Sequence, residues 1–225
     1  MKIAICIKQV PDSWAEKKMA GGVLDRAGVD AVLNDLDEYA VEEALRIVEA
    51  NSPTKEAGEA SGHSITLISM GPERATEAIR KALSMGADDA ILVSDPALAG
   101  SDALATSLVL AAVIKKGNYD LVLCGTESTD ARMSVIPAMI SQRLGWAQLT
   151  FAGKVAVNPA TTTVEIERVT EFGNQVMSAK FPALLSVIEK INEPRYPSFK
   201  GIMAAKKKLI TTMSLSDTGL SPSEV

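Results

Sequence analysis

A doubly wound α/β fold on a mostly parallel sheet is what the sequence predicts, from three observations. Four short apolar runs recur through about residue 147, helix-length amphipathic segments separate them, and the pattern then changes to alternating apolar and polar residues. "KIAICIKQV", "SITLISM", "DAILVS" and "YDLVLCG" are almost continuously apolar, which suits strands covered on both faces. Between them, "LDEYAVEEALRIVEA" brings Tyr39, Val41, Leu45 and Val48 towards one face. "GPERATEAIRKALSMGA" opens at Gly-Pro and closes at Gly86, with Ala75, Ile79, Ala82 and Leu83 apolar. "SDALATSLVLAAVIKKGNYD" offers Ser101 as a cap and Lys115-Lys116-Gly117 as a stop that complements the helix dipole. The order β-α-β-α-β-α-β, with right-handed crossovers, closes the argument for the doubly wound sheet.

From 148 to about 190 the alternation, with its Asn-Pro and Phe-Gly-Asn breaks, predicts an antiparallel extension that includes a hairpin. "PRYPSFKGIMAAKKK" then holds a short helical piece, and the polar tail "TTMSLSDTGLSPSEV" reads as extended or mobile unless something holds it. The expected division is a domain over 1–190 and a recognition loop with a C-terminal arm over 191–225.

Composition narrows the function. A chain of 225 residues, 47% hydrophobic and 23% charged, buries a full core. A net charge of -5 and a pI near 5.1 argue against a nucleic-acid partner. No run approaches the roughly 18 apolar residues of a membrane span, and the N-terminus lacks a signal-peptide pattern, so a cytoplasmic protein that is not membrane-embedded is expected. Cys6 and Cys124 lie inside strand-like runs with no CxxC or CxxH partner, as buried free thiols do. The one histidine, His63, reads as a solvated loop residue, and Asp88-Asp89 and Glu42-Glu43 as solvated charges. No Ser-His-Asp set or metal-ligand spacing is visible, which points away from a self-contained enzyme. Lys206-Lys207-Lys208 is the longest basic run and reads as a solvated face.

Ligand binding is better supported. In an open parallel sheet, ligands settle beyond the carboxyl ends of the strands where the winding reverses, here near Cys6 to Lys8, Met70-Gly71 and Cys124-Gly125. In "LVLCGTESTDARMSVIPAM", Gly125 permits close backbone approach, Ser128, Thr129 and Asp130 can hydrogen-bond or cap, and the following helix aims its N-H groups at an anion. The pattern is neither GxGxxG nor a Walker loop, so a capped turn without ligand remains the alternative.

"NEPRYPSFKGIMAAKKK" (192–208), with "CIKQVPD" (6–12), "AVEEALRI" (40–47), "GPERATEAIRKALSMGAD" (71–88) and "GTESTD" (125–130), resembles the beta subunits of the electron transfer flavoproteins over roughly residues 1–220. The resemblance implies a heterodimer with an alpha subunit that holds most of the redox FAD. Electrons would pass from acyl-CoA or related dehydrogenases, through the flavin, to a membrane quinone reductase. It also implies a structural AMP held by Cys6, by Asn34, Asp35, Leu36 and Asp37, by Met70, and by the loop after the fourth strand. That loop comprises Gly125, Thr126, Glu127, Ser128, Thr129 and Asp130, followed by Ala131, Arg132, Met133, Ser134, Val135 and Ile136, with backbone groups making many of the contacts.

Ser13 and Leu36 match the positions near the flavin, where the family more often carries aromatic groups. Phe199 matches the family's anchor for the dehydrogenase, with Ile202 and Met203 beside it and Lys206 to Lys208 flanking; the alternative is that Phe199 packs on its own domain. Two departures stand out. "ARMSVIP" replaces a glycine- and threonine-containing stretch, so Arg132 either grips phosphate or closes the pocket. Relatives also continue past the equivalent of Val225 as an arm around the alpha subunit. Three alternatives accompany the AMP-binding carrier: a bifurcating-type subunit with a second FAD in the same pocket, a universal-stress-like nucleotide-binding protein, and a paralogue whose pocket Arg132 and Met133 fill.

Overall fold

A computed structural model describes residues 1–52 and 62–225. The first apolar run divides into β1 (Lys2–Cys6) and β2 (Gln9–Pro11), because the chain turns at Lys8, whose N-H is drawn to Asp37 Oδ2 at 2.8 Å. An excursion follows with β3 (Met19–Ala20), β4 (Val23–Leu24) and β5 (Ala31–Leu33) before α1 (Asp35–Asn51). Then come β6 (Ser64–Met70), α2 (Thr76–Met85), β7 (Asp89–Val93), α3 (Ala103–Gly117), β8 (Leu121–Gly125) and α4 (Ile136–Leu144). The remaining elements are β9 (Ala147–Asn158), β10 (Thr163–Thr170), β11 (Gly173–Lys180), β12 (Ala183–Val187), α5 (Phe199–Ala205), β13 (Ile210–Met213) and α6 (Leu215–Thr218).

The nine-stranded sheet runs β11-β10-β9-β12-β8-β1-β6-β7-β13. From β12 to β13 every pairing is parallel, and the predicted antiparallel extension is β9, β10 and β11. Alternate residues of β1 feed two cores. Ile3 and Ile5 join Val41, Leu45, Ile79 and Leu83 under α1 and α2, whereas Ala4 and Cys6 join Val109, Ile114 and Ile140 under α3 and α4. That division is the pleat of a strand buried on both faces.

Five expectations need correcting. β12 lies within the region read as antiparallel, yet its fully buried run ALLSV sits in the parallel sheet between β8 and β9. Asp102, not Ser101, caps α3, its carboxylate accepting Ala105 N-H at 2.9 Å. The tail is held: β13 pairs with β7, and α6 closes on a capping box between Ser214 and Asp217 that buries Leu215. Glu42 and Glu43 are buried, not solvated, because Arg195 and Asn192 reach them from the far side of the chain. His63 is a half-buried bridge between the N-terminal amine (3.0 Å) and the Asn51 carbonyl (3.1 Å). Asp88 is exposed as expected, and its carboxylate accepts Ile65 N-H.

Candidate functional site

From β1 the chain winds to β6 and β7 on one side and to β8 and β12 on the other, so the winding reverses between β1 and β8. Cys6 and Cys124 are register partners there, and the loops after both strands open at the same end. The N-terminus of α1 fills the angle between them. At Gly125 a Cβ would lie 2.7 Å from the backbone of Leu36 and 2.6 Å from Asp37 Oδ1, so only glycine admits the helix this close.

Two buried polar side chains from the start of α1 hold this end of the sheet. Asn34 occupies the N-cap position but makes no cap bond to its own helix. Its side chain, in a residue only 1% exposed, instead donates to Glu127 O (2.9 Å) and accepts Thr129 N-H (3.0 Å). Asp37 is buried, and burial pushes its carboxyl up to about 7 against hydrogen bonds from Asn34, Lys8 and Gly125.

Outside them lies a charge cluster. Lys8 Nζ donates to Ser128 Oγ (3.2 Å) and Asp130 Oδ1 (2.8 Å), and Arg26 donates to Asp130 Oδ2 through Nε (3.1 Å) and Nη2 (2.7 Å). The Asp130 side chain is 1% exposed. Burial opposes its ionisation, but the bonds from Lys8 and Arg26, the charge of Lys8 and the bond from Ser128 outweigh it and hold the carboxyl near 2. Arg74 fastens the excursion by donating to the carbonyls of Arg26 (3.0 Å), Ala27 (3.3 Å) and Val29 (3.3 Å).

The structure brings most of the named residues to this end. Thr126 ties the loop to β12 through Val187 O (2.7 Å), and Ser134 donates to the Glu127 carboxylate (2.8 Å). Ser128, Thr129 and Asp130 do not cap α4, because the first accepts Lys8 and Arg132 N-H, the second is bonded to Asn34, and the third is held by cations. α4 therefore starts at Val135 with no side-chain cap. Ala131, Arg132 and Met133 are exposed, and the side chain of Arg132, a residue at φ +50°, donates through Nε in a long contact to Thr129 O (3.4 Å). The exposure of both Arg132 and Met133 argues against their filling the space at the switch point. Cys6 and Met70 pack into the core on the α3 side, within the parallel ladder; the Cys6 hydrogen bond and burial push the Cys124 thiol well up. Asp35 is exposed and accepts Ser13 Oγ at 3.3 Å, while Leu36, half-buried, meets Gly125 through its backbone. Beside Ser13, Trp14 is 95% exposed.

Sequence reasoning passed over Lys8, Arg26 and Arg74. Lys8 carried a usable signal, a cation one residue past the end of a strand at the switch point. Arg26 and Arg74 carried none, since only the folded excursion brings them in.

The second region is the segment 192–208. Phe199 is 80% exposed, Tyr196 is exposed, and Ile202 and Met203 are partly so. α5 rests on α2 closely enough that a Cβ at Gly201 would meet Ser84 O at 2.5 Å. Arg80 donates to Ala205 O (2.5 Å) and Lys208 O (2.7 Å), and Lys208 caps the end of α2 through Leu83 O (3.2 Å) and Gly86 O (3.3 Å), whereas Lys206 and Lys207 are solvated. A cleft of about 560 Å³ between α2 and α5 is lined by Arg80, Lys81 and Lys206 over Pro197, Ile202 and Ala205. A second cleft of about 550 Å³ lies at the opposite end of β8, around Tyr119 and Trp146, far from the switch point.

A doubly wound, mostly parallel sheet with polar side chains gathered at its switch point defines an α/β protein of the kind that takes ligands beyond the carboxyl ends of its strands. A family model described as electron transfer flavoprotein domain matches residues 21–218. The electron transfer flavoprotein subunit beta of Mycobacterium tuberculosis (strain ATCC 25618 / H37Rv) is 48% identical, covering 99% of this chain and 82% of its own. That of Megasphaera elsdenii is 39% identical over 95% of this chain and 78% of its own. A caffeyl-CoA reductase-Etf complex subunit, CarD of Acetobacterium woodii, is 38% identical over 99% and 81%. The chain belongs to the electron transfer flavoprotein family, with the beta subunits. Its role is electron transfer in a flavin-containing complex with an alpha subunit.

Proposed function

We propose that the chain takes electrons from acyl-CoA or related dehydrogenases, through an FAD held mainly by its alpha subunit, and passes them to a membrane quinone reductase. It acts as a carrier in the cytoplasm, holds a structural AMP at the β1–β8 switch point and contributes no catalytic side chain. Residues 1–190 serve the nucleotide, and 191–225 serve docking.

The observation that carries this reading is the diversion of the Asn34 side chain from its own helix to the loop 127–129. A cap residue gives up its helix only where another demand on it is stronger, and here it fixes the loop in one conformation. The residues fit a nucleoside monophosphate. α4 begins without a side-chain cap, so its first N-H groups suit a phosphate, and Lys8 and Arg26 stand beside the loop. AMP bound there would lock the loop to α1, with Asn34, Asp37 and the 125–136 backbone as its walls. Two buried free thiols suit a reducing compartment.

Support for the electron donor comes from the exposed apolar side chains of Tyr196, Phe199, Ile202 and Met203. The name of the Acetobacterium woodii relative places that protein in a complex with a reductase of a CoA thioester, an enzyme on the same class of substrate but working in the reducing direction. The test is reconstitution. The chain alone should show no reducible flavin spectrum, and the heterodimer should carry electrons from an acyl-CoA dehydrogenase to a quinone reductase. Failure of the flavin-loaded heterodimer with every acyl-CoA dehydrogenase tried would sink the donor assignment.

A further inference from the structure

No regular element spans residues 188–198, between β12 and α5, so side-chain contacts decide where the exposed patch points. Two of these contacts go to α1. Asn192 Nδ2 donates to Tyr39 O (3.1 Å) and Glu43 Oε2 (3.0 Å). Arg195 does more: its Nε (2.7 Å), Nη2 (3.0 Å) and backbone N-H (3.2 Å) reach Glu42, while Nη1 (2.6 Å) and Nη2 (3.0 Å) reach Glu49. One guanidinium thus grips two carboxylates two turns apart on the helix, a geometry that a lysine point charge cannot reproduce.

The burial is uneven in an informative way. Glu42 is 5% exposed and both its carboxylate oxygens accept from Arg195, whereas Glu49 is exposed and held below the usual carboxylate range first by its hydrogen bond to Arg195. A surface arginine that served only solubility would have no reason to draw a buried glutamate into its fork. The far end of the segment is fixed separately, by Arg80 and Lys208 against α2.

We propose that Arg195 is a positioning residue for electron transfer: its fork across Glu42 and Glu49 holds residues 192–198 so that Tyr196 and Phe199 meet the dehydrogenase in a single orientation. The proposal rests on the docking role assigned above to this segment. Fixing the segment beforehand removes an ordering cost from association, so the effect falls on encounter with the dehydrogenase and not on the electron step within the complex.

The experiment uses the heterodimer with its alpha subunit and an acyl-CoA dehydrogenase reduced by butyryl-CoA. Arg195→Met, Arg195→Met with Glu42→Gln, Arg195→Lys and Phe199→Ala are compared for KM towards the dehydrogenase, kcat, melting temperature and nucleotide content. Arg195→Met is expected to raise KM by about tenfold with kcat within about twofold, as lost uniform binding does. The double variant removes the unpaired buried charge, so its melting temperature recovers while KM stays high; Arg195→Lys falls between. Recovery of KM together with melting temperature in the double variant overturns the proposal, since Arg195 would then be structural only. An unchanged KM in Arg195→Met beside a raised KM in Phe199→Ala also overturns it and leaves the docking role standing. Unchanged KM in both variants removes the docking role and this proposal together.

Discussion

The switch point and the proposed docking segment use polar side chains in opposite ways. At the switch point, Asn34, Asp37 and Asp130 are buried, and each is satisfied by backbone or charge within the domain. In the docking segment the apolar side chains Tyr196 and Phe199 face water, and the polar ones, Asn192 and Arg195, are turned inwards as fasteners. A ligand held for the life of the protein needs a site whose polar groups are already oriented. A partner that comes and goes needs apolar surface displayed on a segment that is anchored but not sunk in the core. Both regions hang on one helix, α1, whose first turn carries Asn34 and Asp37 and whose later turns carry Glu42 and Glu49.

The largest effect should follow from Asn34→Ala. It strands the Glu127 carbonyl and Thr129 N-H, both in half-buried residues, each worth up to about 1–3 kcal/mol when left unpaired. Urea unfolding should show a loss of that order, and the heterodimer should lose its beta-bound nucleotide on dialysis. Normal nucleotide retention would show that the loop does not need α1, and the contrast between the regions would fail.

Next is the pH dependence of Asp37. Its folded carboxyl is raised from 3.8 to about 7, so the native chain keeps a proton that the unfolded chain has released. Its contribution to stability therefore declines as pH rises from about 4 to about 7 and is level above. Between pH 5 and 8 the advantage of Asp37→Asn over the parent should grow by about 2–3 kcal/mol. Asp130 has the opposite sign: its lowered carboxyl stabilises the fold above its unfolded value of 3.8, and that contribution is lost as pH falls towards about 2. A stability difference for Asp37→Asn that does not vary with pH would show the carboxyl to be ionised throughout.

Smaller effects belong to the docking face. Phe199→Ala should raise KM for the dehydrogenase by about tenfold, about 1.4 kcal/mol, without changing nucleotide content. Lys206→Glu with Lys207→Glu should slow association several-fold at low salt, roughly, and much less at high salt, because both side chains are solvated. A salt-independent loss would mean that these lysines act by packing.

How legible this was in the sequence depended on the range of the interactions. The four predicted strands and the three helices between them follow from local periodicity and agree with the structure within a few residues, apart from the break at Lys8, whereas the short strands β3, β4 and β5 of the excursion had no periodic signal to reveal them. The switch point was legible because topology alone places it. The side chains that hold it were not, since Asp130 finds Arg26 across 104 residues and Asn34 finds Glu127 across 93. The same holds for Glu42: a Glu-Glu pair on an amphipathic helix looks solvated, and only Arg195, 153 residues away, reverses that. The tail misled for a related reason, because the polar alternation "TTMSLSD" conceals an edge strand that pairs with the otherwise open edge of β7. Phe199, in contrast, was legible through the motif around it, and the fold leaves it exposed.

The most direct test of the account is to denature the purified heterodimer and identify the released nucleotides by mass. One AMP and one FAD per heterodimer is the predicted result, with the AMP absent when Asn34→Ala is carried in this chain. Two FAD and no AMP, or FAD alone from the parent complex, would contradict it.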